Sequence, residues 1–219
     1  MLDQKIGYHF IFDVKSDLER KARLVAGRDL NKNVPKHTSY SSVVSRESVR
    51  ICFTLAALNY QDILSDDVSN THLNAKRLET CHIEVKNIYL FGPSAIGRTA
   101  QIVRALYGIK SSGNAWKIHL SNILECQLVF KQCYVNNDVW MRPSRNKKGD
   151  KVHNYICIYV DDIPLCSVNP KEHMSALGVY VNLKPGSVGS PKRYLGIDIK
   201  RKLIMIIKMS IGYQDQIPI

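Results

Sequence analysis

The run YICIYVDDIPLC (155–166) sets Asp161 and Asp162 side by side inside an otherwise apolar stretch. Ionised carboxylates cost several kcal/mol to bury without a partner, and adjacent ones raise each other's pKa. On these residues two readings stay open. Either the pair is a solvated turn between strands, because Asp tolerates turn geometry, or it takes a cation. The run ILSDDV (63–68) supplies Asp67, again at the end of an apolar strand and away from basic neighbours in sequence. Two adjacent strands ending in carboxylates can hold Mg²⁺, which takes oxygen ligands, commonly one or two carboxylates plus substrate phosphates. Two such ions clamp the attacking and leaving oxygens of a phosphoryl transfer. If the three aspartates converge, they titrate as one coupled unit until metal enters.

Strands must aim those carboxylates. YICIYV followed at once by DD and IPLC predicts a β-hairpin with the acids at its tip. DILSDDV (62–68) predicts a short strand ending in acid, and DVWMRP (138–143) another strand, joined to the hairpin by the basic loop SRNKKGDK. Upstream, YHFIFDV (8–14) and KARLVAG (21–27) read as strands around the polar turn KSDLER, and a polar loop follows over 28–42. SRESVRICFTLAALNY carries apolar residues at Val49, Cys52, Phe53, Ala56, Ala57 and Tyr60, which is helical spacing, with Ser45 as N-cap. IEVKNIYLFG (83–92) reads as a strand. The segment from Ile102 begins extended, turns through Gly108 and Gly113 and becomes a helix whose buried stripe is Trp116, Leu120, Ile123, Leu124 and Leu128. PKEHMSALGVYV predicts a helix, and RYLGIDIKRKLIMIIKM a hairpin turning near Lys200–Lys202. Strands and helices follow one another without strict βαβ alternation, so the fold class is α+β.

A hydrophobic content of 45% against 23% charged residues is that of a globular chain, not a disordered one. The formal charge of +12 suits a polyanionic partner, nucleic acid or an acidic membrane surface. The six cysteines form no CxxC pair and no Cys/His cluster, which argues against structural zinc and a disulfide framework. The N-terminal run is charged too early for a signal peptide, and Ile51–Gln61 is too short to span a bilayer. An intracellular, soluble protein is expected, not a secreted one.

Seven segments in order resemble the reverse transcriptase domain of copia-type retrotransposon polyproteins: KARLVA (21–26), YSSVVSRESVRICFTLAAL (40–58), DVSNTHLNA (67–75), VRALYGIKSSGNAW (103–116), DVWMRP (138–143), YVDDI (159–163) and LKPGSVGSPKRYLGIDI (183–199). The resemblance covers nearly the whole chain from about residue 8. It implies a right-hand polymerase with fingers over about 8–60, palm and fingers over 61–200 with an antiparallel palm sheet, a primer-grip hairpin near 194–199, and only the start of a thumb over 200–219. It implies an RNA-directed DNA polymerase whose catalytic triad is Asp67, Asp161 and Asp162. Asp67 and Asp161, with the backbone carbonyl of Val68, would ligate two Mg²⁺ ions (Mn²⁺ as a substitute), and Asp162 would be the peripheral ligand. By the same resemblance, LYGIKSSG walls the nucleotide and template pocket through Tyr107, Gly108 and Lys110, and Gly108 lets backbone approach the substrate. Lys21 or Arg23 meets the triphosphate; either is equally well read as a solvated charge. Leu195 and Gly196 centre the hairpin that grips the primer end, or a plain core hairpin. RNKKGDK, PKR and KRK are candidates to track phosphates.

The implied partners are a primed RNA or DNA template, dNTPs and the other parts of a retroelement polyprotein, and no membrane. The implied place is the cytoplasm, within a virus-like particle, or the nucleus. Two positions depart from the family pattern. His72 stands where an aromatic residue usually excludes the ribonucleotide 2′-hydroxyl, and Pro164 stands where an aliphatic residue usually follows the turn, although proline is poorly tolerated in a central strand. With most of the thumb missing, the alternative is a catalytically inactive, truncated remnant that at most binds nucleic acid. A small-nucleotide cyclase on a related palm gains no support from the seven segments.

Overall fold

The computed structural model describes residues 4–14, 18–27, 39–86 and 91–200. In chain order the strands and helices are β1 Gln4–Ile6, β2 Tyr8–Val14, β3 Arg20–Ala26, α1 Arg46–Leu58, β4 Asp62–Asp67, β5 Cys81–Glu84, β6 Thr99–Gln101, α2 Ser112–Asn122, β7 Lys131–Gln132, β8 Val139–Arg145, β9 Lys151–Cys157, β10 Asp162–Ser167, α3 Pro170–Gly178, β11 Arg193–Tyr194 and β12 Ile197–Asp198. The chain is mixed α and β with antiparallel sheets, apart from the parallel pair β1–β5.

The organising element is a five-stranded antiparallel sheet in the order β4-β10-β9-β8-β7. On one face Ile156, Ile158, Ile163 and Leu165 pack against Trp116, Leu120 and Leu124 of the α2 region and against Met174 and Leu177 of α3. On the other face Tyr155, Cys157 and Cys166 pack against Val49, Cys52 and Ala56 of α1. Because both faces are covered there, β9 is buried without alternation from Asn154 to Cys157, which is how strand segments covered on two sides read. The cysteines are free thiols, and Cys52, Cys157 and Cys166 serve as small apolar side chains of this second layer.

Helix α1 starts where its sequence says it should: the Ser45 side chain accepts from the Ser48 N–H at 3.2 Å. Ser45→Ala should cost about 1 kcal/mol of stability, measurable by urea denaturation. Ala57 and Tyr60, placed on the apolar stripe by spacing, are exposed instead, because the helix ends at Leu58 and Tyr60 turns away at φ +57°. Two further expectations shift. Gly113 lies inside α2 and is no turn residue. The strand expected over 83–92 runs only through Cys81–Glu84. A tight hairpin turns at Leu195–Gly196, where both residues hold positive φ, +47° and +79°, as a two-residue hairpin turn requires, while the turn expected near Lys200–Lys202 runs into residues outside those described. Residues 201–219, read as the start of a thumb, lie outside the described residues.

Pro164 sits fully buried in β10, a central strand, against the usual rule. The register survives it: β10 pairs with β4 along its whole length, Pro164 opposite Ser65. Toward β9 the ladder is interrupted between the Tyr159–Asp162 bridge and the Leu165–Ile156 pair, where Pro164 has no N–H to give. The missing donor therefore costs one rung and does not bend the strand away. No helix among the described residues is long and apolar enough to cross a membrane.

Candidate active site

The end of β4 and the start of β10 meet directly: Asp67 pairs with Asp162 in the antiparallel register. These residues lie far apart in sequence, and only the sheet joins them. The β9–β10 hairpin closes through Tyr159 and Asp162, each N–H donating to the other's C=O at 3.0 Å, so Val160 and Asp161 form the tip. Val160 holds φ +57°, a costly value for a β-branched residue and one that a II′ hairpin turn gives to glycine. Two bonds over-determine this strained tip. The Trp116 Nε1–H donates to the Val160 carbonyl at 2.7 Å, and the Val68 N–H donates to the Asp161 carbonyl at 3.0 Å. Strand β4, helix α2 and the hairpin are thus tied together at the carboxylates.

The electrostatics agree with the geometry. Burial first, then the charges of Asp161 and Asp67, push Asp162 up to about 6. Asp67 is raised by burial and by Asp161, with Lys184 and Lys21 pulling the other way. Carboxylates that hold one another's protons in this way favour a cation between them. The donor set is all hard oxygen and fits Mg²⁺. The Val68 carbonyl accepts from the Thr71 hydroxyl at 2.9 Å and keeps a second lone pair. As they stand, no three His, Cys, Asp or Glu side chains among the described residues are gathered closely enough to hold a metal. The backbone pairing is what brings Asp67 and Asp162 together.

Around this pair the structure gathers most of the other candidates. Lys21 and Arg23 are two apart on β3; the first reaches Asp67 electrostatically and the second Tyr107. The His72 and Tyr107 rings contact at a 4.6 Å centroid separation, and the charge of Asp161 reaches both. Burial lowers the His72 pKa, and its Nδ1 is buried without a hydrogen-bond partner. Leu195 lines a cleft of about 280 Å³ together with Asp67 and Asp162, so the β11–β12 hairpin stands beside the carboxylates. Lys110 is exposed, and its charge is not among those that shift Asp67, Asp162, His72 or Tyr107.

Gly108 also stands at a close approach within the chain itself. A Cβ there would lie 2.1 Å from the Ala26 carbonyl oxygen and 2.7 Å from Val25 Cγ1, and the backbone holds φ +90°. The backbone that approaches it is the chain's own β3, whose Ala26 N–H donates to the Tyr107 carbonyl at 2.7 Å. The glycine positions Lys21 and Arg23 by letting β3 dock.

Sequence reasoning passed over three residues here. Lys184 lies 4.0 Å from an Asp67 carboxylate oxygen, and its N–H donates to the Asp67 carbonyl at 2.9 Å. Asp66, nearly fully buried, accepts from the Asp67 N–H at 2.7 Å and from the Ser187 hydroxyl. Asp66 was in plain view as the neighbour of Asp67, but Lys184 and Ser187 arrive through a segment that pairs along the edge of β4 at Ser65–Gly189 and Val68–Leu183. No local signal announces that pairing.

In comparison with known proteins, the family model described as reverse transcriptase (RNA-dependent DNA polymerase) matches residues 3–217. No curated protein matches the sequence significantly.

Proposed function

The chain belongs to the reverse transcriptase (RNA-dependent DNA polymerase) family, and from that premise we propose that it is the RNA-directed DNA polymerase of a copia-type retrotransposon, with Asp67, Asp161 and Asp162 as its catalytic carboxylates. The observation that carries the reading is the register that sets Asp67 opposite Asp162 beside the hairpin tip. Asp67 and Asp161, with the Val68 carbonyl, would hold two Mg²⁺ ions, and Asp162 would be the peripheral ligand. When bound, the ions lower the pKa of the primer 3′-hydroxyl and neutralise charge on the triphosphate.

The chain's own residues do the rest by position. The five-stranded sheet with α2 and α3 serves as palm, with the primer-grip hairpin near 194–199. The β2–β3 hairpin, within the fingers region of 8–60, brings Lys21 and Arg23 over the carboxylates to meet the triphosphate. Tyr107 and His72 wall the sugar, with Lys110 at the outer edge of that pocket. Leu195 and Gly196 hold the primer end against the cleft that Leu195 lines with Asp67 and Asp162. Primed template, dNTPs and the rest of a polyprotein are the partners, in a cytoplasmic particle or the nucleus.

His72 is the position that sets sugar choice in this reading. An imidazole is smaller than a phenyl ring and leaves more room at the sugar for a 2′-hydroxyl. His72→Phe should raise the preference for deoxyribonucleotides over ribonucleotides at least about tenfold, read as the ratio of their kcat/KM values. An unchanged ratio would remove His72 from the sugar wall.

The polymerase reading is tested by single-nucleotide extension of a primed RNA template at low salt with Mg²⁺. Extension that stops on chelation supports it. A folded chain that binds the template and extends nothing overturns it and leaves the second reading, an inactive remnant that binds nucleic acid. His72 and Pro164, the two departures from the family pattern, are what favour that second reading.

A further inference from the structure

Two cations face each other on the segments that carry His72 and Tyr107. The segment after His72 and the segment before Tyr107 run antiparallel, tied by the Ala105 N–H to the Ala75 carbonyl at 3.1 Å and by a bridge that sets Lys76 directly opposite Arg104. Like charges directly opposite one another destabilise a strand pair. Neither cation has a carboxylate partner among the described residues, and both are exposed. The Arg104 guanidinium makes one bond, Nη1 donating to the Asn74 carbonyl at 3.3 Å, which leaves its other N–H groups to donate elsewhere. Both residues line a cleft of about 560 Å³ to which Arg77 adds a third cation. The carboxylate of the cleft, Glu79, is engaged by the Ser111 hydroxyl.

We infer that Lys76 and Arg104 form a phosphate clamp that takes the phosphodiester backbone of a nucleic-acid strand on its way to the carboxylates. An anion between the two turns their repulsion into two attractions, and a guanidinium beside an ammonium supplies both forked and point-charge contact. The position suits a strand. Arg104 precedes Tyr107 along extended chain, roughly 10 Å away at ~3.3 Å per residue, which is a few base steps along a strand of ~3.4 Å rise each. The inference rests on the polymerase reading only for the identity of the polyanion.

The test is binding, not catalysis. The parent chain and the double variant Lys76→Gln/Arg104→Gln are titrated with a fluorescent primed RNA in chelator across a salt series, with thermal melts to show that both are folded. Two lost phosphate contacts should make the slope of log affinity against log salt shallower by about 1.5, which is about 30-fold weaker binding at 0.1 M salt if the two converge at 1 M. Equal slopes overturn the clamp. Each single variant should give about half the change, and a change confined to one of them also overturns the paired clamp. A chain that extends no primer yet shows the lowered slope loses the polymerase reading and keeps the clamp.

Discussion

Asp67→Asn should extend a primed RNA template on the order of 10³-fold more slowly than the parent chain, about 4 kcal/mol of barrier. The amide keeps the shape of the side chain and removes its charge, so a loss reports electrostatics and not packing. Asp67 is half-exposed and its backbone is pinned independently: its N–H by Asp66, its carbonyl by Lys184 and its strand by β10. The variant therefore folds. Its melting temperature should equal or slightly exceed that of the metal-free parent, because the substitution relieves repulsion with Asp161 while giving up only an exposed 4.0 Å contact to Lys184. Extension within threefold of the parent would remove Asp67 from the catalytic set, and with it the significance of the Asp67–Asp162 register.

Gly108→Ala should destabilise the protein by about 3–5 kcal/mol, which for a chain of this size is a fall in melting temperature of roughly 10 °C. Two costs add. An L-residue at φ +90° is strained by about 1–3 kcal/mol, and its Cβ would stand 2.1 Å from the Ala26 carbonyl oxygen, a backbone atom that cannot rotate aside. Relief comes only by moving β3 off Tyr107 and breaking the 2.7 Å bond from the Ala26 N–H. The unbonded amide should lose protection from hydrogen exchange, and Lys21 and Arg23 leave the site with the strand. Extension at saturating template should then need a higher dNTP concentration, which separates this variant from Asp67→Asn. A parent-like melt with Ala26 still protected would show that the close approach is not what the glycine serves.

Much of the site was legible because it is written locally. Alternation and apolar runs fix where β2, β3, β4, β9 and β10 lie, Ser45 announces α1, and the α2 stripe from Trp116 to Leu128 is buried as its spacing requires. Each of these rests on neighbours within a turn or a few strand residues, where backbone sterics and side-chain period decide the outcome. The hairpin tip at Val160 and Asp161 was readable for the same reason, although its strain and the Trp116 bond that holds it were not.

What sequence determined by itself was which residues could do chemistry and which elements carry them: two acid-ended strands, a basic strand and a glycine that must stay a glycine. Tertiary structure alone decided that β4 lies beside β10, that the segment bearing Lys184 and Ser187 lines its edge, that Pro164 sits in a central strand at the price of one rung, and that Gly108 serves β3. Such pairings join residues separated by long loops. Their free energy comes from the whole sheet burying both faces at once, a sum that no local window of sequence contains.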